Sequence, residues 1–145
     1  MLTLVRHAAV VVDPSVPSTE WRLSEEGRAA ARSLIFDVGA DGALTSPEPK
    51  AAETAELARL GARVDERLRE VERPWSDDYV TEVRRWFDGE ELPGWERRED
   101  ALERLHAALD GFAGVAVSHG LAISIYAGLS FDEWRMLPFP AVVRC

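Results

Sequence analysis

The chain has no asparagine and no glutamine, a single cysteine and a single lysine in 145 residues. The cysteine, Cys145, is the last residue. An internal disulfide and a thiolate metal cluster are therefore excluded, and a reducing cytoplasm is the expected setting. No apolar run approaches the roughly 20 residues of a membrane span. No basic segment followed by an apolar stretch and a cleavage site opens the chain, so no signal peptide is expected. Positive charge is scarce as well. The net charge of −9 disfavours nucleic acid and anionic membrane as partners, so any local cluster of cations stands out against the background. Lys50 is the only lysine among 17 basic residues, which singles it out in a chain that otherwise uses arginine.

The content is that of a globular protein, 46% hydrophobic and 30% charged. The length suits one domain over residues 1–145 with a single core. Short β-branched and apolar runs alternate with helical patterns, which predicts an α/β fold. The first strand covers residues 2–5 and ends abruptly in Arg6-His7. After a proline-punctuated loop, Ser24 caps a helix running to about residue 36, with Glu25 and Glu26 at the positive end of its dipole. Residues 43–45 form a second strand. Ser46-Pro47 starts the next helix, which Gly61 ends, and residues 62–65 form a weak third strand.

Residues 72–95 break this rhythm. Trp75, Trp86, Phe87 and Trp95 lie among acids there, with a short helix over residues 77–87. The segment is either a small cap over a site or a surface helix whose aromatics pack on the core. A helix with one apolar stripe follows over residues 96–109, and its His106 is read as a surface or packing residue. The strongest strand, residues 114–117, ends in Ser118-His119-Gly120 and feeds an apolar helix. Ser130 and Glu133 form a capping box, and residues 141–144 a last strand.

Two histidines thus leave two strands at one edge of one sheet, where open α/β sheets bind ligands. Arg6 accompanies the first, Lys50 lies near the start of the helix after the second strand, and helix amides near Ser46 and Gly120 add positive partial charge. This describes a site for a phosphoryl dianion. A metal held by His7 and His119 is the competing account. Neighbouring cations and the lack of a carboxylate in either histidine motif disfavour it, so no metal and no cofactor is expected.

Five motifs occur in order: Arg6-His7-Ala8; Leu23-Ser24-Glu25-Glu26-Gly27; Ser46-Pro47-Glu48-Pro49-Lys50-Ala51-Ala52-Glu53-Thr54-Ala55; Leu68-Arg69-Glu70; and Ser118-His119-Gly120. Together they resemble the histidine phosphatase, or phosphoglycerate-mutase-like, superfamily. The resemblance implies a three-layer sandwich, with a mostly parallel central sheet, helices on both faces and a small cap at about residues 72–95. It implies that His7 is the nucleophile forming a phosphohistidine. Arg6 and His119 would hold phosphoryl oxygens, with Gly120 beside them, and Lys50 would stand in the position of a second arginine. Glu70, rather than its neighbours Glu66 and Glu72, would be the general acid and then the base.

The chain departs from the family pattern at four points. Ala8 replaces a glycine, and Lys50 turns a bidentate fork into a point charge. Arg73-Pro74-Trp75-Ser76-Asp77 stands where many members have Gly-x-Trp-Glu-Gly. The asparagine common after the first histidine is missing. A short chain with a small cap favours a hydrolase over a mutase. The expected function is metal-independent hydrolysis of a small phosphorylated substrate. A protein phosphohistidine phosphatase and a degenerate sensor of phosphorylated metabolites are the alternatives. The oligomeric state is left open.

Overall fold

Leu4 and Val5 are neighbours in one strand, so their side chains face opposite sides of the sheet, and both are buried. That pair divides the protein into its layers. In the computed structural model, which describes all 145 residues, the strands are β1 (Thr3–Arg6), β2 (Ala43–Thr45), β3 (Arg63–Val64), β4 (Val115–Ser118) and β5 (Ala141–Arg144). The helices are α1 (Glu25–Arg32), α2 (Pro49–Leu57), α3 (Tyr79–Phe87), α4 (Arg98–Leu109), α5 (Gly120–Ala127) and α6 (Phe131–Met136). The sheet order is β3-β2-β4-β1-β5. The first four strands run parallel and β5 is antiparallel to β1.

Leu4, Leu44 and Ala116 face the larger core, which Val83 and Trp86 of α3, Leu105 of α4, Leu121 and Ile123 of α5 and Trp134 of α6 complete. Val5, Val115 and Val117 face Ala51, Ala55 and Ala58 of α2 and its end. The fold is therefore a mostly parallel sheet between two helical layers. All four residues of β4 are buried, as expected of a central parallel strand. No helix is long and apolar enough to cross a membrane.

Several expectations need correction at element ends. The first helix ends at Arg32, short of residue 36. Ser46 does not cap the second helix: Glu48 occupies the cap position and Pro49 the first turn. Two prolines within three residues explain the shift, because the residue before proline avoids the helical region and Glu48 is extended, with ψ 136°. The long helix opens at Arg98 rather than residue 96. The aromatics of residues 72–95 divide between the two readings offered for them. Trp86 and Trp95 enter the core, whereas Trp75 is 63% exposed.

Candidate active site

Sheet register builds the site. Arg6 pairs with Ser118, and Thr45 with Val117, so β1, β2 and β4 end almost level. The next residues, His7, Ser46 and His119, leave the sheet side by side. The His7 amide donates to the Ser118 carbonyl (3.1 Å) and the Ser46 amide to the Val117 carbonyl (2.9 Å). The His7 and His119 rings meet edge to face with centroids 5.2 Å apart.

His7 Nδ1 lies 2.8 Å from the Ala8 carbonyl oxygen. A carbonyl only accepts, so Nδ1 carries the proton and Nε2 keeps a free lone pair. Burial pushes the imidazole down to about 3, with Lys50 and Arg6 adding to the effect and the Ala8 hydrogen bond opposing it. The ring is neutral near pH 7. Ala8 is itself positioned by Thr54, whose hydroxyl accepts from the Ala8 amide (3.0 Å) and donates to the Lys50 carbonyl (2.7 Å). This ties the helix that carries Lys50 to the segment that carries the first histidine.

Arg6 lies with its guanidinium 3.5 Å from the centre of the Phe139 ring and donates to the Leu137 carbonyl at 2.8 Å. Gly120 makes this possible: a Cβ there would stand 2.8 Å from Arg6 Nη2. Gly27 has a parallel reason, since a Cβ would collide with the Ala9 carbonyl oxygen.

His119 is buried, and burial holds it well below the usual histidine range, with His7 and Lys50 adding to the effect. Its Nε2 lies 2.8 Å from Ser46 Oγ and 3.1 Å from Glu48 Oε2. Its Nδ1 and the Nε of Arg6 are buried with no hydrogen-bond partner. Arg6 Nε–H thus lacks an acceptor, while Nδ1 of the neutral His119, whose Nε2 faces the Glu48 carboxylate, lacks a donor; two buried groups left unmatched are costly unless a ligand pairs with them.

Lys50 is 5% exposed. Its ammonium donates to the Ser18 carbonyl (2.6 Å), lies 3.4 Å from Glu48 Oε1 and sits 5.6 Å from the centre of the Trp21 ring. Burial lowers its pKa while Glu48 and Glu70 oppose the fall. Glu70 follows the 3-10 turn Glu66–Leu68. Its carboxylate accepts from the Leu121 (3.0 Å), Ala122 (2.9 Å) and Val71 (2.9 Å) amides. The sequence predicts that helix amides near Gly120 add positive partial charge to the phosphoryl site; the Leu121 and Ala122 amides are taken by Glu70. Glu66 and Glu72 are exposed.

Four contributors escaped the sequence reading. Glu48 bridges His119 to the Glu70 amide, accepting from the latter at 2.8 Å. Arg73 lies over the Tyr79 ring at 4.8 Å and adds positive charge felt by Arg6, Lys50 and His119. Ser118 donates to the Leu68 carbonyl (2.7 Å) and Arg104 to the Arg67 (2.7 Å) and Arg69 (2.8 Å) carbonyls. The last two clamp the segment that carries Glu70. Glu48 lies in a quoted motif, at a variable position. Arg104 has no local signal at all, because its partners lie more than thirty residues away. His106 is exposed and pairs with Asp110, as a surface residue.

The family model of the histidine phosphatase superfamily (branch 1) matches residues 2–139. The chain belongs to the histidine phosphatase superfamily. That membership brings phosphatase- or mutase-type chemistry through a phosphohistidine. A search of curated proteins finds no match. Among solved structures, TTHB049 from Thermus thermophilus is 27% identical with a TM-score of 0.74, covering 99% of this chain and 92% of the other. A phosphoglycerate mutase from the same organism is 28% identical, TM-score 0.68, over 86% and 80%. The Rv3214 open reading frame product of Mycobacterium tuberculosis, 20% identical with a TM-score of 0.65 over 97% and 88%, shares the fold.

Proposed function

We propose that this protein is a phosphoric monoester hydrolase that acts on a small molecule through a phosphohistidine at His7, without a metal. The observation that carries the reading is the fixed tautomer of His7, which leaves Nε2 free in a ring 5.2 Å from that of His119, with Arg6 Nε and His119 Nδ1 both unmatched. His7 Nε2 attacks phosphorus and the bond to the leaving oxygen breaks. Glu70 takes the proton of a monoanionic ester as it binds and gives it to that oxygen. The three amides that hold the Glu70 carboxylate stabilise the anion formed as the proton leaves. The Ala8 carbonyl, accepting from Nδ1–H, stabilises the positive phosphoimidazole. Water then loses a proton to Glu70 and attacks phosphorus, the N–P bond breaks, and phosphate departs.

Arg6, Lys50 and His119, protonated once a dianion lies against it, supply the charge stabilisation on which phosphoryl transfer depends. Glu48 is placed to be the counterion of a protonated His119. A cleft of about 400 Å³ lined by Glu48 and Glu70 opens on this region, and one of about 620 Å³ shares Ser18, Thr19 and Arg73 with it. Open access for water favours hydrolysis over retention of an intermediate.

Rapid acid-sparing quench during turnover of an alkyl phosphate should trap acid-labile phosphate on His7. Turnover with no phosphohistidine overturns the mechanism, and absence of both leaves a phosphate-binding protein. Glu70→Gln should slow alkyl esters by roughly 10²–10⁴-fold and aryl esters much less, because only poor leaving groups need the proton. Equal slowing of both classes would make Glu70 structural.

A further inference from the structure

We propose that the cleft of about 620 Å³ beside the phosphoryl site seats the alcohol portion of the substrate, and that this portion is a flat, aromatic, uncharged group. The proposal rests on the phosphatase reading and names the substrate class for that site. The cleft has a size typical of small-molecule sites, roughly 300–1,000 Å³. Trp21, Trp75 and Tyr79 wall it, with Val12, Val16 and Pro17.

These walls are oriented rather than loose. The Trp21 indole donates to the Asp13 carbonyl (2.9 Å) and meets Trp75 edge to face, centroids 6.4 Å apart. Tyr79 stacks on the buried Trp95 at 6.4 Å and meets Trp134 at 5.9 Å, so it is anchored in the core. Trp75 and Val12 nevertheless remain 63% and 58% exposed. Leaving such a surface in water is unfavourable, and covering it with an apolar ring recovers that free energy.

Side-chain contacts of two cations link the walls of the cleft to the phosphoryl site. Lys50, which grips the Ser18 carbonyl, lies against Trp21, and Arg73 lies over Tyr79. A phosphate held by these cations therefore directs its ester group between the aromatic walls.

Charge decides against the other route. The second cleft, of about 400 Å³, shares Ser18, Thr19 and Arg73 with the first but is lined by Glu48, Glu66, Glu70 and Glu72 against one further cation, Arg69. In a protein of net charge −9, the acidic excess of that lining repels a second anionic group on the substrate. The preferred ester thus carries one phosphate and an uncharged aromatic body.

The test compares three esters of primary alcohols, so that leaving groups are closely matched: ethyl phosphate, 2-(1-naphthyl)ethyl phosphate and 2-carboxyethyl phosphate. With the full chain, kcat/KM for the naphthyl ester should exceed that for ethyl phosphate by at least about tenfold, the scale of one stacking contact. The carboxyethyl ester should fall below ethyl phosphate. Trp75→Ala, at an exposed position, should remove most of the naphthyl preference, and circular dichroism checks its fold. Equal kcat/KM for the ethyl and naphthyl esters overturns the proposal while the phosphatase reading stands. If no ester turns over, calorimetric titration with the matching phosphonates decides. A naphthylethylphosphonate that binds at least tenfold more tightly than ethylphosphonate, on the same stacking scale, supports the aromatic seat while the hydrolase reading fails. Equal binding, or none, overturns the seat.

Discussion

The two walls of the site are built by different means. One is made of strand ends. Arg6 and Ser118 end β1 and β4, His7 and His119 follow directly, and all four are held at the sheet edge and mostly or wholly buried. The other is made of loops. Residues 11–21 leave and rejoin the fold at a Val10–Leu23 bridge, and residues 72–78 run alongside, with Val11, Val12 and Trp75 open to solvent. The strand wall holds groups suited to one reaction in one geometry. The loop wall holds apolar surface, which is not directional. The difference separates chemistry from selectivity: substitutions in the strand wall should change turnover of every ester alike, and those in the loop wall should change the ratio between esters.

The hardest strike at the strand wall is His7→Ala. Loss of a covalent nucleophile should lower kcat by on the order of 10⁴-fold or more. The stability cost should be only about 1–2 kcal/mol, since the side chain hydrogen-bonds to a neighbouring carbonyl rather than to a distant element. Stopped assays and a denaturant titration measure the two. Near-normal turnover would remove the distinction between the walls.

Lys50 joins them, since its ammonium stands by the site and grips the Ser18 carbonyl of the loop wall. Lys50→Met should cost about 10- to 150-fold in kcat/KM, as a charge-assisted contact is worth roughly 1.5–3 kcal/mol. It should also flatten the selectivity between esters, which a purely electrostatic role would leave alone. Lys50→Arg should lose several-fold, because a planar fork does not replace a compact ammonium in a niche that leaves 5% of the residue exposed. Wild-type activity in the arginine variant would make the ammonium an interchangeable cation.

Gly120→Ala is a finer probe. Its methyl would press on the Arg6 guanidinium, the far end of a long side chain, and shift it from Phe139 and the Leu137 carbonyl, so the fold should survive with a loss of about 1 kcal/mol. Displacing the guanidinium should still lower kcat/KM by about tenfold through weaker phosphate binding. Competitive inhibition by inorganic phosphate reads this directly, and unchanged inhibition would place Arg6 outside the phosphate site.

The smallest effect is a pH slope. Folding takes the His7 pKa from its ordinary 6.5 down to about 3. The unfolded chain therefore binds more protons in that window, and stability contributed by the neutral ring is lost as pH falls from about 6.5 toward 3. His119 acts in the same sense. Glu48, pushed up by burial, acts in the opposite sense in the acid range. Removing His7 should flatten the fall of Tm over that window; an unchanged profile would mean the ring is solvated.

The amino-acid sequence by itself marked the strands and the residues at their ends, while the layering followed from the family resemblance. Strand ends and capping residues are local: a run such as Val115–Val117 followed by Ser118-His119-Gly120 marks an edge wherever it occurs. It also marked Ser130 and Glu133, whose capping box is present. Tertiary structure alone decided what those residues touch. Pro47 and Pro49 moved the helix start past Ser46, freeing its hydroxyl for His119. The α5 amides went to Glu70, about fifty residues away in the chain. Glu48, Arg73 and Arg104 entered the site from separate segments, and Trp75 stayed outside the core that took Trp86 and Trp95. Hydrogen bonds and ion pairs across such separations depend on register and packing, and neither leaves a periodic trace in the order of residues.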